Sequence, residues 1–316
     1  MDKKTLSNIK KEISSFNKKH PNGIVIIRGT TATGKTELSL HLADFFPIEI
    51  ISSDSRQIFT GMDIGTDKVD TQSRKKIPHH QIDIVTPDTH YTAGQWHTDA
   101  ENNIENILLR KKIPVIVGGT GLYIDTIYKN FAMPEVAPDY DFREGLYAEE
   151  EKHPGTLHDM LKKVDPISAA QIHPNSSRYL VRALEIHHVT GTPKSEIAVS
   201  NPVKRPLLMI GLRREKENNN KRILTRVHNM IKQGLIEEVQ WLLDTGYDPI
   251  LQSMQGIGYK QTVAYLRGDY DQNQLIEEIS NATGRYAKRQ RTRLRRYIRD
   301  AENDPKKNVT YKIYNL

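Results

Sequence analysis

Gly29-Thr30-Thr31-Ala32-Thr33-Gly34-Lys35-Thr36 has the spacing of a G-x-x-x-x-G-K-[ST] phosphate loop. Backbone N–H groups of such a loop, together with the N-terminus of the helix after it, cradle an anion. Lys35 adds a positive charge on a flexible stem, and the Thr36 hydroxyl can ligate Mg²⁺ beside the phosphates. The apolar run Ile24-Val25-Ile26-Ile27 before the loop and Glu37-Leu38-Ser39-Leu40-His41-Leu42-Ala43 after it supply the strand and helix the motif needs. A phosphorylated ligand is therefore expected at Gly29 to Thr36.

Asp54 is a second candidate, just past another apolar run in Ile50-Ile51-Ser52-Ser53-Asp54-Ser55-Arg56-Gln57. In a doubly wound sheet, residues beyond the strands' carboxyl ends face the ligand crevice. A carboxylate there can ligate Mg²⁺, accept a proton, or cap the next helix. The third candidate is Ile116-Val117-Gly118-Gly119-Thr120-Gly121. A nucleoside-triphosphate hydrolase usually carries a metal-binding Asp at such a strand end. Gly-Gly-Thr-Gly instead permits close backbone approach of a ligand, or forms a tight turn. The missing acid weakens the case for ATP hydrolysis and leaves diphosphate binding intact. The twelve histidines include the pairs His79-His80 and His187-His188, but none has metal-ligand spacing, and no catalytic role is assigned to them.

The elements that must position these residues alternate between 22 and 130. Strands are predicted at 24–27, 48–52, 81–85 and 114–117, with helices at 35–45, 92–110 and 123–128. Near-continuous apolar strands separated by helices imply an α/β fold, a P-loop NTPase-like parallel sheet flanked by helices. Pro134, Pro138 and the acidic stretch around 139–151 mark a change of character, and the pattern is then helical at 156–164, 165–172 and 177–189. A strand follows at 206–212, then helices around 220–234, 236–244, 255–266 and 273–297. The organisation expected is an N-terminal extension (1–21), a core domain (22–131 and 201–316) ending in basic helices, and a helical insertion domain (132–200).

At 316 residues the chain has ample core for independent folding. It has no apolar run of about 18 residues and no signal-peptide-like apolar centre in its Lys-rich first twenty, so no membrane association and a cytoplasmic location are expected. Zero cysteines exclude disulfides and thiolate metal sites. The net charge is +7, yet Arg285, Lys288, Arg289, Arg291, Arg293, Arg295, Arg296 and Arg299 fall together with no acid among them; taking eight from +7 leaves −1 for the remainder. On a helical wheel seven of these cations lie within an arc of about 160°, Arg291 just outside it, with Tyr286, Ala287, Leu294, Tyr297 and Ile298 opposite. One packed face and one cationic face suit phosphate contacts with a polyanion.

With those pieces assembled, the chain resembles the tRNA dimethylallyltransferases (isopentenyltransferases). The resemblance rests on the phosphate loop and on an ordered set of further motifs across about 24–296. These are Asp54-Ser55-Arg56-Gln57-Ile58-Phe59 with Gly61-Met62-Asp63-Ile64-Gly65-Thr66, Val117-Gly118-Gly119-Thr120-Gly121-Leu122-Tyr123, Asp165-Pro166, Ile172-His173-Pro174-Asn175, Arg182-Ala183-Leu184-Glu185, Gly256-Ile257-Gly258-Tyr259-Lys260-Gln261 and Lys288-Arg289-Gln290. The chain departs from the family pattern at Thr30, where Pro is usual, at Tyr179, where Arg is common, and at Arg293, where an aromatic is common.

The resemblance implies transfer of a dimethylallyl group from dimethylallyl diphosphate to the exocyclic amine of the adenine on the 3′ side of the anticodon, in tRNAs reading codons that begin with U. It implies Asp54 as the base, with Lys35, Thr36, Arg226 and Mg²⁺ neutralising the departing diphosphate, and Thr36 as metal ligand. It implies that the tRNA anticodon stem-loop is held by Asp54, Ser55, Arg56, Gln57, Thr120, Arg143, Arg178, Tyr179, Leu180, Val181, Arg182, Lys288, Arg289 and Gln290, with the enzyme acting as a monomer. Three alternatives use the same residues. A small-molecule kinase would need arginine-rich lid motifs and has little use for a cation-only helix. An RNA-binding nucleotide switch leaves Asp54 and the 118–121 turn unexplained. An enzyme prenylating free adenine nucleotides leaves the basic helix and the insertion unexplained.

Overall fold

The computed structural model describes residues 1–130, 136–197, 203–303 and 308–316. Met1–Asp125 and Val203–Leu316 form one compact unit, and Thr126–Pro202 form another. Pro134 and the expected domain limits at 131/132 and 200/201 lie outside the described residues.

The first unit begins with α1 (Lys3–Lys19), β1 (Ile24–Gly29), α2 (Lys35–Leu42), β2 (Ile48–Ser53), α3 (Thr71–Lys76), β3 (His79–His80), α4 (Ala93–Leu109) and β4 (Ile113–Gly118), and α5 (Gly121–Lys129) starts in it and continues into the second. The second unit holds α6 (Tyr140–Lys152), α7 (Thr156–Val164), α8 (Pro166–Gln171), α9 (Ser177–Thr190) and α10 (Lys194–Ile197). The chain returns to the first unit through β5 (Leu207–Arg213), α11 (Lys216–Gln233), α12 (Leu235–Asp244), α13 (Tyr259–Leu266), α14 (Gln272–Asn303) and β6 (Val309–Asn315).

Among the described residues six strands make one all-parallel sheet in the order β3-β2-β4-β1-β5-β6. β1, β2 and β4 are buried along their whole length because helices cover both faces, which is why they read as unbroken apolar runs. One face packs on Ile9, Ile13 and Phe16 of α1 and Leu38 and Leu42 of α2. α4 and α14 cover the other. The chain runs from β1 past β4 to β2 on one side, and β5 and β6 add on the other. This reversal places a crevice at the carboxyl end of β1, where ligands of open α/β sheets bind.

Two strand expectations are corrected. The strand expected at 81–85 is instead the two-residue β3, because Gln81 (φ 64°) and Asp83 (φ 54°) turn out of the extended region. Asp83 spends its carboxylate on Lys68 (2.5 Å) and Arg74 (2.5 Å), and only Val85 bridges back, to Phe59. β6 was not anticipated; Val309, Tyr311 and Ile313 alternate with polar residues, as suits an edge strand beside β5. α1 also emerges within the supposed extension, its Ile9, Ile13 and Phe16 at helical spacing and Asp2 capping it through the Thr5 N–H (2.8 Å).

The second unit has its own core of Leu146, Leu157, Leu161, Leu180, Val181 and Leu184. Asp165 caps α8 through the Ser168 N–H (2.9 Å) and ties in Ser195, so the Asp165-Pro166 motif is a helix start. Glu185, fully buried, takes both arms of Arg143 (2.7 Å each), Arg182 (2.5 Å) and the Asp139 N–H (2.8 Å). Those donors outweigh its burial and hold its carboxyl below the usual range. No helix among the described residues is long and apolar enough to cross a membrane.

Candidate active site

β1 delivers the chain to Gly29, and the left-handed residues Ala32 (φ 62°) and Gly34 (φ 90°) fold the loop back so that α2 starts at Lys35. The Thr33 hydroxyl closes the loop on the Thr30 carbonyl (2.7 Å), and Lys35 Nζ donates to the same oxygen (2.9 Å). α11 braces the loop from outside. The Thr30 hydroxyl donates to buried Asn219 (3.3 Å), Arg226 Nη1 to Thr31 Oγ1 (3.0 Å), and Arg222 Nε to the Ala32 carbonyl (2.9 Å). Thr30 thus ties the loop to α11 through a hydroxyl that proline would lack. Burial pushes the Lys35 ammonium down to about 8; the neighbouring Arg226 charge adds to the fall and Asp54 opposes it.

Asp54 leaves the carboxyl end of β2. Its Oδ1 accepts the Arg56 N–H (2.9 Å), so it caps a tight turn and not a helix; the next helix, α3, starts at Thr71. The Ser55 N–H donates to Thr120 Oγ1 (3.0 Å) and the Thr120 N–H to the Ser53 carbonyl (3.0 Å), which holds the second glycine turn against the Asp54 turn. Gln57 accepts from Ser52 (3.0 Å) and donates to the Thr66 carbonyl (3.2 Å). Arg56 donates to the Gln252 carbonyl.

Two residues outside the expected site shape the loop after Asp54. The Glu238 carboxylate on α12 accepts the N–H groups of Asp63 (2.9 Å), Ile64 (2.7 Å) and Gly65 (3.2 Å), and the buried Tyr259 hydroxyl donates to it (2.6 Å). The loop so held places Asp67, at φ 54°, against Arg226 (3.2 Å). Tyr259 carried a sequence signal within the Gly256-Ile257-Gly258-Tyr259 motif; Glu238 carried none.

α14 closes the site with residues expected to face RNA. Gln290 is buried: its Oε1 accepts the Thr31 N–H of the phosphate loop (2.8 Å) and its Nε2 donates to the Gly119 carbonyl (3.1 Å). It joins the two glycine motifs, and its amide is turned away from the cationic face. A Cβ on Gly119 would lie 2.1 Å from Gln290 Nε2, and one on Gly121 2.2 Å from Arg293 Cδ. The close approach at those two glycines is thus made in part by the chain's own side chains, while Gly118 and Gly119 also line the phosphate-loop cleft. Arg293 also leaves the basic face. It pairs with Asp125 (2.7 Å), to which the Tyr297 hydroxyl also donates, and the Tyr297 ring carries the buried Arg28 guanidinium 4.2 Å from its centroid. The absence of a counter-charge holds only along the sequence. Lys288, Arg289 and Arg295 are exposed.

Lys35, Thr36, Asp54, Asp67 and Arg226 line a polar cleft of about 80 Å³. A second, larger chamber of about 320 Å³ adjoins it, with apolar walls from Ile223, Val227, Met230 and Ile279 and with Arg56 and Arg289. Thr31, Asp54, Thr66, Arg226 and Tyr286 line both. Within the second unit, Arg178 and Tyr179 are exposed, Arg143 and Arg182 are tied to Glu185, and Leu180 and Val181 point into that unit's core. The last two therefore offer no side chain to a ligand, because their helix spacing makes them core positions.

A family model described as IPP transferase matches residues 57–297. The chain belongs to the IPP transferase family. It is 44% identical over 287 residues to the tRNA dimethylallyltransferase of Pelotomaculum thermopropionicum, covering 90% of this chain and 91% of that one. It is 41% identical over 274 residues to the Thermotoga maritima protein of the same name, covering 87% and 90%. Among solved structures it is similar to the full-length tRNA isopentenylpyrophosphate transferase of Bacillus halodurans (TM-score 0.64, 37% identity, 93% of this chain and 90% of that one). It is also similar to a eukaryotic dimethylallyltransferase acting on tRNA (TM-score 0.73, 30% identity, 92% and 73%). The parallel sheet and flanking helices are those of the IPP transferase fold.

Proposed function

We propose that this chain is a tRNA dimethylallyltransferase. It moves the dimethylallyl group of dimethylallyl diphosphate to the exocyclic amine of the adenine on the 3′ side of the anticodon, in tRNAs reading codons that begin with U. The observation that carries the reading is the shared wall: the phosphate-loop cleft opens into a roomier, partly apolar chamber, and Asp54 stands where the two meet.

In this reading the C1–O bond of the donor breaks and its electron pair leaves with the diphosphate, as the amine nitrogen bonds C1 and loses its proton to Asp54. An adenine amine is a poor nucleophile because its lone pair is delocalised into the ring, so removing the proton and stabilising the leaving group both lower the barrier. Lys35, Arg226 and the loop N–H groups hold the diphosphate, and Arg226 exchanges its Thr31 and Asp67 contacts for phosphate oxygens. The target base enters the larger chamber from the anticodon loop, an extrusion costing a few kcal/mol. Arg178, Tyr179, Lys288 and Arg289, all exposed, contact the loop.

Thr36 Oγ1, Asp54 and Asp67 give the cleft hard oxygen donors, and no group of three His, Cys, Asp or Glu among the described residues could cage a metal. That donor set fits Mg²⁺ shared with substrate phosphates. When bound, the ion would supply further charge for the leaving diphosphate. In this reading the active species is a monomer, acting in the cytoplasm where its tRNA substrate is.

The test offers unmodified tRNA with carbon-labelled dimethylallyl diphosphate, or with ATP labelled at its terminal phosphate. Carbon label entering tRNA at the anticodon-adjacent adenine supports the reading. Phosphate label entering any acceptor makes the protein a kinase.

A further inference from the structure

The transferred carbon becomes cationic as the C1–O bond stretches, yet the residues nearest the diphosphate, Lys35 and Arg226, are themselves cations that disfavour charge on it. The departing diphosphate balances part of that charge, and a further group in contact with the carbon would balance more. Asp54 is committed to the amine proton, and a carboxylate pressed against an allylic cation would capture it as an ester. An aromatic face attracts a cation without bonding to it.

We propose that the ring of Tyr286 lies against the reacting carbon and stabilises its developing positive charge, an inference resting on the prenyl-transfer reading above. Tyr286 is one of the five residues that line both the phosphate-loop cleft and the larger chamber, so its side chain borders the place where donor and acceptor must meet. Its hydroxyl is fixed at the second glycine turn, donating to the Gly119 carbonyl (3.4 Å) with the Thr120 and Gln290 side chains hydrogen-bonded to it. Burial raises the phenol to about 12, and the nearby Asp54 charge adds to the rise, so the group stays neutral and Asp54 is close by. The Arg289 guanidinium carbon lies 5.7 Å from the ring centroid in the free protein, and this cation leaves the ring when it contacts the anticodon loop. The helix cannot slide to remove the ring, because Ala287, Gln290, Leu294 and Tyr297 pin α14 to the sheet from the same side.

The position tolerates a graded test because fluorine alters the ring's face charge with little change of shape. Residue 286 is replaced by Phe, by phenylalanines carrying one, two and three ring fluorines, and by Leu. Turnover, the KM for dimethylallyl diphosphate, and tRNA affinity are measured for each. Tyr286→Phe is expected to stay within about threefold of the parent, while Tyr286→Leu loses about ten- to thirtyfold in kcat with KM and tRNA affinity held within about threefold. The logarithm of kcat should fall in step with each added fluorine. A flat fluorine series would overturn the proposal and leave the ring as packing, and a Phe variant as slow as Leu would move the role to the hydroxyl. A parent enzyme that transfers no prenyl group would instead sink the functional reading, a separate outcome visible before any variant is compared.

Discussion

Raising the pH from 7 to 9 should uncouple the phosphate loop from its ligand through one group. The enclosed Lys35 ammonium titrates near 8 in the free protein, held down by burial and by Arg226. It is then about nine-tenths charged at pH 7 and about one-tenth charged at pH 9. A bound diphosphate in contact with it restores its charge, so ligand binding takes up about 0.1 proton at pH 7 and about 0.9 at pH 9. Affinity for an unreactive dimethylallyl diphosphate analogue should therefore weaken about tenfold over that interval, close to 1.4 kcal/mol. Titration calorimetry in two buffers of different ionisation enthalpy reads both quantities. Lys35→Arg keeps its charge throughout and should flatten the pH dependence. Equal slopes for parent and variant, or no proton uptake at pH 9, would refute the assignment of the depressed group to Lys35.

Four further outcomes follow from the same geometry. Asp54→Ala should keep tRNA affinity and lose about 10²- to 10⁴-fold in turnover, and unchanged turnover would remove Asp54 from the chemistry. Replacing Arg289 and Arg295 together should weaken tRNA binding and reduce the slope of log affinity against log salt by about 1.4 to 1.8; an unaltered slope would mean that face touches no phosphates. Glu238→Ala strips three loop amides and the Tyr259 hydroxyl of their acceptor, for a stability loss of about 2–4 kcal/mol with weaker diphosphate binding, and Glu238→Gln should recover part of each. An unshifted denaturation midpoint in the Ala variant would show that the loop is held by other means. Glu49 is disfavoured by burial, but hydrogen bonds from Arg110, His80 and Lys112 hold it down to about 2. Its stabilisation is complete above the ordinary Glu value and is lost as pH falls toward 2, so Glu49→Gln should flatten the acid side of the stability curve measured by denaturant titration.

The parts of this molecule written locally were readable. The phosphate loop needs one strand end and one helix start, and Asp54 one more strand end, so short motifs carried them. β1, β2, β4 and β5 announced themselves as apolar runs because helices bury both of their faces. The 81–85 segment misled because Ile82, Ile84 and Val85 are apolar while Gln81 and Asp83 take left-handed backbone to serve Tyr91, Lys68 and Arg74. Long-range pairing stayed hidden. Nothing near Arg293 reveals that Asp125, 168 residues earlier, would draw it off the cationic face, or that Gln290 would turn inward to Thr31. Glu238 reads as an ordinary acid on a helix until the 63–65 amides converge on it.

The proposed transfer requires that diphosphate leave carbon with the bridging oxygen. Dimethylallyl diphosphate labelled with heavy oxygen at the C1–O–P bridge, incubated with unmodified tRNA, tests this by mass spectrometry of both products. All of the label should appear in free diphosphate, and the prenylated tRNA should carry none. Heavy oxygen retained on the five-carbon product, or diphosphate released without it, would contradict the mechanism.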